Sequence, residues 1–230
     1  MARRPRLLAI GTPCHIVQRG NNRNNIFYRD EDYLFFLEVL SEAKEKYPCY
    51  IYSYCLMINH FHLLIEPKEK NNIGSLMKFV GVKYVHYVNK HYNRTGTLWE
   101  GRFKSCIIEA ESYFLSCLKY IEMNPVKANI VSSPESYRWS SYRVRAYGDK
   151  NKIVDIDPWY KSLGEDDIIR QVNYRRFFQK ENSKTIEEVI SDMTNKNGVV
   201  GSSGFKKKME RAAGMEIVIR RPGRPVIKEN

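Results

Sequence analysis

Along the first half of the chain, apolar residues alternate with polar ones in some segments and recur at helical spacing in others. Residues 13–19 have the composition of a strand, and the asparagine-rich positions 20–25 after them predict a turn. Apolar side chains recur every three or four positions over 30–47, which predicts a helix. Two β-rich runs then follow, at 49–57 and 60–66, with two residues between them. That spacing predicts a β-hairpin.

The pattern continues with two further helices and another strand. Helical spacing predicts a helix over 72–92, a glycine-punctuated segment ends in a strand near residue 108, and a third helical pattern covers 111–123. The order strand, helix, strand, strand, helix, strand, helix predicts an α+β fold, with helices packed on one side of an antiparallel β-sheet. We expect this domain to occupy residues 1–148.

The character of the chain changes after residue 148. Residues 149–230 are predicted to form a C-terminal helical extension, with a mixed-charge amphipathic helix around 166–178. Glycine, asparagine and serine dominate 194–204, which predicts a flexible linker. The tail from Phe205 carries eight Lys and Arg residues against three Glu, so it is predicted to bind a polyanion.

Composition narrows the class of protein. The 230-residue chain has a formal net charge of +12, which favours a polyanionic partner, and it is 43% hydrophobic, which is enough for a core. No stretch reaches the roughly 18 apolar residues of a membrane-spanning helix, and the N-terminal apolar run is too short for a signal peptide. We therefore expect a cytoplasmic protein with no membrane partner. Its five cysteines contain no C-x-x-C pair, so buried thiols are expected rather than a zinc ribbon or disulfides.

The most informative motif is a pair of histidines in the second strand of the predicted hairpin. Side chains two apart in a strand point to the same face, so His60 and His62 project together while Phe61 points away. Two imidazoles on one face can supply half of a divalent metal site. The alternative is a pair of hydrogen-bonded histidines that only contribute to packing.

The third predicted helix offers groups that could work beside such a metal. Tyr120 and Asn124 are four residues apart, so they can share one face at the end of the helix, before Pro125. A tyrosine hydroxyl next to a divalent metal can attack a phosphodiester and remain covalently joined to the DNA. The alternative for Tyr120 is ordinary packing, since the chain contains 16 tyrosines.

Four segments together resemble the REP-associated tyrosine transposases, a branch of the single-tyrosine transposases within the HUH endonuclease superfamily. They are His15-Ile-Val-Gln-Arg-Gly-Asn-Asn-Arg23, Asn59-His-Phe-His-Leu-Leu-Ile65, Gly96-Thr-Leu-Trp-Glu-Gly-Arg-Phe-Lys-Ser105 and Tyr120-Ile-Glu-Met-Asn-Pro-Val-Lys-Ala128. The histidine pair alone is a weak signal, but four segments in this order are specific. The resemblance spans roughly residues 10–145.

The resemblance implies a fold, a reaction and a set of site residues. The core would be ferredoxin-like (RRM-like), with Mg²⁺ or Mn²⁺ bound by His60, His62 and Asn124. Tyr120 would be the nucleophile, with Tyr113 as its rival. The protein would cleave and rejoin single-stranded or hairpin DNA at palindromic repeats through a covalent 5′-phosphotyrosine, without an organic cofactor. It would be nucleoid-associated and act as a monomer or homodimer. A replication initiator or relaxase of the same superfamily, and a non-catalytic binder of hairpin nucleic acid, remain alternatives.

Basic residues in turn-rich segments are expected to hold the DNA backbone, with nearby aromatics such as Trp99 and Phe103 either stacking on bases or forming core. These residues are Arg19, Arg23, Arg94, Arg102 and Lys104. The tail adds Arg220, Arg221 and Arg224. Pro222-Gly-Arg-Pro225 resembles the centre of an AT-hook that binds the minor groove, although Pro222 replaces the usual arginine; a tail that binds phosphates without sequence preference is the alternative.

Overall fold

In the computed structural model, which describes residues 8–180 and 184–213, five strands form one sheet. The strands are β1 (Cys14–Arg19), β2 (Cys49–Met57), β3 (His60–Pro67), β4 (Lys104–Ile108) and β5 (Val199–Val200). Their order across the sheet is β2-β3-β1-β4-β5. The predicted hairpin is confirmed, because β2 and β3 pair antiparallel and only Ile58 and Asn59 separate them.

Helices of the described residues cover the sheet and continue beyond it. They are α1 (Asp30–Lys46), α2 (Asn72–His91), α3 (Ala110–Glu122), α4 (Asn124–Lys127), α5 (Tyr142–Tyr147), α6 (Pro158–Lys161), α7 (Asp167–Gln179), α8 (Lys184–Lys196) and α9 (Ser203–Ala213). The predicted α+β class is confirmed, and the three long helices of the first half lie within two residues of their predicted bounds.

The helices pack on both faces of the sheet, so the expectation of helices on one side was wrong. On one face, the ring of Phe61 in β3 contacts Phe36 of α1, with centroids 4.7 Å apart. On the other face, the ring of His62 lies against Tyr120 of α3. Adjacent residues of a strand point to opposite faces, so α1 and α3 must lie on opposite sides. The near-complete burial of β2 and β3 agrees with a sheet that is covered twice.

The predicted flexible linker at 194–204 was also wrong. Thr194 belongs to α8, and the backbone N–H of Gly198 closes the end of this helix by donating to Met193. The next two residues, Val199 and Val200, form β5, which pairs parallel with β4 and makes the sheet mixed. Both valines are buried, which is the usual setting for β-branched residues in a sheet. The asparagine and glycine of this segment therefore mark a tight helix-to-strand turn.

A buried ion pair joins α5 to the start of α6. The guanidinium of Arg145 donates through Nε and Nη2 to Oδ2 of Asp157, at 3.0 and 2.7 Å, and both side chains are fully buried. Arg145 also donates to the backbone oxygens of Tyr52 and Asp155. This network ties the segment after residue 148 to strand β2. Buried residues from both sides of that point share one hydrophobic cluster, and the functional division near residue 148 stays a prediction.

The described helices include none that is both long enough and apolar enough to cross a membrane. All five cysteine side chains are buried and none forms a disulfide, as predicted.

Candidate active site

The paired histidines lie on the face of the sheet that α3 and α8 cover. Across the β1–β3 ladder, His60 is opposite Arg19 and His62 is opposite Val17, and residues opposite one another share a face. The two imidazole rings are 5.0 Å apart between centroids. His62 is buried and His60 is half-buried. The structure thus places both rings together, as the strand spacing predicts.

Each histidine ring has a hydrogen-bond partner at its Nδ1 atom. Nδ1 of His60 lies 2.7 Å from Oδ1 of Asn59, the residue at the hairpin turn. Nδ1 of His62 lies 2.9 Å from Nε2 of His15, a buried residue of β1. Nε2 of His62 is buried and has no hydrogen-bond partner. A metal-binding histidine usually has one ring nitrogen in a hydrogen bond, as Nδ1 of His62 is, and the other nitrogen free to bind the ion.

Burial keeps these rings neutral near neutral pH. Desolvation lowers the pKa of His15 to about 3. Desolvation, and then the charge of Arg19, lowers the pKa of His60 to about 4. The pKa of His62 also falls well below its usual value, mainly through desolvation and further through the neighbouring His60 and His15. A neutral imidazole carries one nitrogen lone pair, which is the form that binds metals.

Tyr120 of α3 packs edge-on against the same rings. Its centroid lies 5.5 Å from that of His15 and 6.0 Å from that of His62. The ammonium of Lys127 lies over the Tyr120 ring, 4.9 Å from its centroid, and pairs with Glu187 at 2.7 Å. Burial raises the pKa of the Tyr120 phenol, and a hydrogen bond with Ser191 offsets part of that rise. Residues 60 positions apart in sequence therefore meet at one site.

Asn124 lies one turn further on, where α3 passes into α4. Its Nδ2 atom donates to the backbone oxygens of Tyr120 and Ile121, at 2.7 and 3.1 Å. Its other amide atom, Oδ1, is the one that could bind a cation. Pro125 occupies the first turn of α4, where its missing N–H costs no helical hydrogen bond. Asn124 thus caps the helix end that carries Tyr120.

A buried carboxylate anchors this end of α3. Glu122 is fully buried, and its two oxygens accept from Ser53, Ser141 and Tyr174 at 3.1, 2.6 and 2.8 Å. Desolvation raises its pKa, while the nearby Arg145 and these hydroxyl donors act in the opposite direction. The anchor joins α3 to strand β2 and to α7, and so holds Tyr120 and Asn124 in place.

The rival tyrosine, Tyr113, is half-buried near the start of α3. Seven residues place it about 10 Å from Tyr120 along the helix axis. Within the described residues, no ring contact joins Tyr113 to a histidine.

The donor set fits a hard or borderline divalent cation. Two neutral imidazoles and an amide oxygen are acceptable ligands for such ions, and they leave positions for substrate oxygens. Among residues 8–180 and 184–213, no cluster of three His, Cys, Asp or Glu side chains forms a complete metal site. The orphaned Nε2 of His62 is the observation that supports a metal here.

Two of the predicted DNA-binding residues share the histidine face. Arg19 lies opposite His60 in the sheet, and Lys104 lies opposite Val17 on β4. Together with Arg102, they line a cavity of about 150 Å³. Glu100 also lines it, so the cavity is basic with one acidic member. Lys104 donates to Oδ1 of Asn195 in α8 at 2.9 Å.

The other predicted DNA-binding residues are more scattered. Arg23 is exposed in the turn after β1, where its backbone oxygen accepts from Nδ2 of Asn59. Arg94 follows α2 and donates to the hydroxyl of Tyr28 at 3.1 Å. Arg220, Arg221 and Arg224 lie outside the described residues.

The aromatics of the glycine-punctuated segment contribute to packing. Trp99 is half-buried, contacts the rings of Phe61 and Tyr84, and donates through Nε1 to the backbone oxygen of Gly81. Phe103 is buried. Their positions agree with the alternative that these residues form core.

Three residues at the site are absent from the set that the sequence predicts. They are His15, Lys127 and Thr194, whose hydroxyl oxygen lies 2.8 Å from Nδ1 of His15. His15 and Lys127 belong to the segments that carry the family resemblance, so their positions could have drawn attention to them. Thr194 lies in the segment that composition marks as a linker, and no local signal distinguishes it.

Comparisons with known proteins agree with this fold. The family model of IS200-like transposases matches residues 11–124, from the turn before β1 to Asn124. A protein of Haemophilus influenzae, provisionally named a REP-associated tyrosine transposase, is 23% identical over 117 residues. That match covers 46% of this chain and 66% of the relative's length.

One solved structure, a REP-associated tyrosine transposase bound to a REP hairpin, superposes with a TM-score of 0.55 at 19% identity. It covers 68% of this chain and 93% of the solved chain, and at that identity it supports the fold alone. From the family match, supported by a curated relative and a shared fold, we conclude that this chain belongs to the IS200-like transposases and is related to their REP-associated tyrosine branch.

Proposed function

We propose that this protein cleaves and rejoins single-stranded or hairpin DNA at palindromic repeats, using Tyr120 as nucleophile and a divalent metal, Mg²⁺ or Mn²⁺, held by His60, His62 and Asn124. The contact of the Tyr120 ring with those of His62 and His15 carries the proposal, because a nucleophile must lie next to the metal it works with. The matched relatives, one of them bound to a REP hairpin, favour hairpin DNA as the substrate.

The reaction is a transesterification that conserves the number of phosphate esters. The Tyr120 hydroxyl oxygen forms a bond to the scissile phosphorus, and the bond from phosphorus to the 3′ oxygen breaks. The phenol loses its proton and the departing 3′ oxygen gains one, which leaves a 5′-phosphotyrosine and a free 3′ hydroxyl. Attack by a 3′ hydroxyl on this phosphotyrosine reverses the step and rejoins the DNA, so no external energy source is needed.

The residues around Tyr120 prepare it for this attack. Burial favours the neutral phenol, so attack requires that neighbouring groups stabilise the phenolate that forms when the proton leaves. The ammonium of Lys127 above the ring stabilises the developing phenolate by its charge. When bound, the metal would polarise the scissile phosphate and stabilise the charge on its oxygens. The edge-on packing against two imidazoles restricts the ring to one orientation.

The basic cavity beside the histidines would hold the DNA backbone. Arg19 and Lys104 are on the same sheet face as His60, so phosphates bound by them would pass the site. Ionic contacts to phosphates supply affinity and depend strongly on salt.

We predict that Lys104→Ala weakens hairpin binding at every flanking sequence and reduces the slope of log K against log salt by about 1. Fluorescence anisotropy with a labelled hairpin, over a series of salt concentrations, measures both quantities. Lys83→Ala is the matched control, since Lys83 lies on α2 and pairs with Glu42. Equal slopes for the two variants would show that Lys104 contacts no phosphate.

Metal removal tests the proposed reaction. The probe is a pool of end-labelled single-stranded oligonucleotides, each with a stable hairpin and randomised flanks, and denaturing gels detect covalent protein–DNA adducts. We expect adducts with Mn²⁺, and a loss of at least about 10²-fold with EDTA or in His60→Ala, because charge on the phosphate oxygens is then unstabilised. Hairpin binding measured under native conditions should persist. Adducts that form equally well in EDTA would refute the metal role, and binding without any adduct would indicate a non-catalytic binder.

A further inference from the structure

A chain of buried hydrogen bonds runs from helix α8 to the histidine pair. The hydroxyl of Thr194 lies 2.7 Å from the backbone oxygen of Ile190, one turn earlier in the helix. The same hydroxyl oxygen lies 2.8 Å from Nδ1 of His15. Nε2 of His15 in turn lies 2.9 Å from Nδ1 of His62. Thr194, His15 and His62 are each at most 4% exposed, so water does not compete for these bonds.

The donor and acceptor of each hydrogen bond in this chain follow from the bond between Thr194 and the backbone oxygen of Ile190. A backbone oxygen can only accept, so the Thr194 hydroxyl donates its single proton to Ile190. The hydroxyl oxygen must then accept from His15, which places the proton of that neutral ring on Nδ1. Nε2 of His15 is left as an acceptor, and it can accept only from an N–H at Nδ1 of His62. His62 therefore keeps Nε2 bare, and Nε2 is the atom that is buried without a partner.

The geometry of the two rings agrees with this direction. The imidazoles of His15 and His62 are parallel within 3°, with centroids 5.2 Å apart. With bonded nitrogens at 2.9 Å, the rings meet edge to edge in nearly one plane, and the proton lies along the lone pair of the acceptor. Cys106 also approaches the Thr194 hydroxyl, with its sulfur at 3.0 Å, and a thiol is a weak donor to the same oxygen.

We propose that Thr194 and His15 are positioning residues, which fix the proton of His62 on Nδ1 and reserve its Nε2 for the metal. The metal itself rests on the proposed function, whereas the proton positions do not. Thr194 lies well beyond residues 11–124, which the family model matches, so the C-terminal extension would complete the site that the first half of the chain supplies. Fixed outer partners of this kind orient a ligating ring before the ion arrives.

Proton positions in the metal-free protein give the first test. Long-range ¹H–¹⁵N spectra of histidine-labelled full-length protein distinguish a ring protonated at Nδ1 from one protonated at Nε2. Single substitutions of the other histidines assign the signals. We expect both His15 and His62 to carry their proton on Nδ1. A proton on Nε2 of His62 would overturn the proposal without any reference to metal or DNA.

Variants of Thr194 give the second test. Thr194→Val keeps the shape and removes the hydroxyl, so His62 should become a mixture of the two protonated forms, and Mn²⁺ affinity measured by electron paramagnetic resonance should fall about tenfold or more. Thr194→Ser retains the hydroxyl and should keep both properties, which separates the hydrogen bond from packing. Thr185→Val, at an exposed position of the same helix, is the control for substitution in α8.

The outcomes separate this inference from the proposed function. Unchanged protonation and Mn²⁺ affinity in Thr194→Val, with a thermal unfolding curve like that of the parent, would overturn the positioning role. Failure of the parent protein to bind Mn²⁺, with His62 protonated on Nδ1, would contradict the metal in the proposed function and leave the hydrogen-bond chain supported. If Thr194→Val does not fold, the protonation of the parent and of Thr194→Ser still decides the question.

Discussion

Replacing Tyr120 with phenylalanine should remove covalent adducts and lower cleavage by at least about 10³-fold, since a nucleophile has no substitute within the same site. The change removes one hydroxyl and keeps the ring that packs on His15 and His62. Hairpin affinity and thermal stability should therefore stay close to those of the parent. The measurement is adduct formation on denaturing gels with the hairpin pool and Mn²⁺, paired with anisotropy for binding.

Tyr113→Phe is the matched control for this experiment. Tyr113 is half-buried on the same helix, and its ring contacts no histidine within the described part of the chain. Its variant should form adducts at nearly the parental rate. If Tyr113→Phe loses the adduct while Tyr120→Phe keeps it, the nucleophile has been assigned to the wrong tyrosine. If both variants form adducts at the parental rate, neither tyrosine is the nucleophile.

The largest effect on stability is expected from Asp157→Ala, which should lower the free energy of unfolding by about 3–5 kcal/mol. The substitution leaves the guanidinium of Arg145 buried without its counter-ion, although two backbone oxygens still accept from it. It also removes the carboxylate that caps α6 by accepting from the backbone N–H of Tyr160 at 2.7 Å. Urea unfolding followed by circular dichroism measures the change.

The surface pair between Arg143 and Asp149 provides the control. Its two side chains are 46% and 43% exposed, so solvent screens the interaction. Asp149→Ala should therefore leave the free energy of unfolding close to that of the parent. Similar losses for Asp149→Ala and Asp157→Ala would mean that Arg145 finds other partners or water when its carboxylate is removed. If the unfolding free energy of Asp157→Ala depends less steeply on urea concentration than that of the parent, the region after residue 148 unfolds separately.

Local periodicity predicted most of the secondary structure around the site. The alternation in β3 was sufficient to place His60 and His62 on one face, because a strand has a period of two residues whatever lies around it. The two-residue gap before β3 was sufficient for the hairpin, since such gaps favour direct antiparallel pairing. Helical spacing located α1, α2 and α3 in the same way.

Local spacing favoured Tyr120, with Asn124 four residues later, and left Tyr113 as its rival on nearly the same side of α3. Which of the two tyrosine rings lies beside the histidines depends on how far α3 slides along the sheet, and packing sets that distance through contacts such as Glu122 with Ser53. Periodicity also does not say which face of a sheet a helix will cover. The predicted one-sided arrangement was wrong because α3 and α8 bury the histidine face while α1 and α2 bury the other.

The amino-acid sequence by itself determined strand β3, the β2–β3 hairpin, the shared face of His60 and His62, and the helix α3 that carries Tyr120. These features follow from the geometry of residues that are close together in the chain. Only the tertiary structure brought Tyr120 against His62, placed His15 behind it, and turned an asparagine- and glycine-rich segment into the end of α8 and strand β5. Those contacts join segments separated by 47 to 179 residues in sequence. Contacts between segments so far apart in sequence depend on the packing of the whole core, which no local pattern specifies.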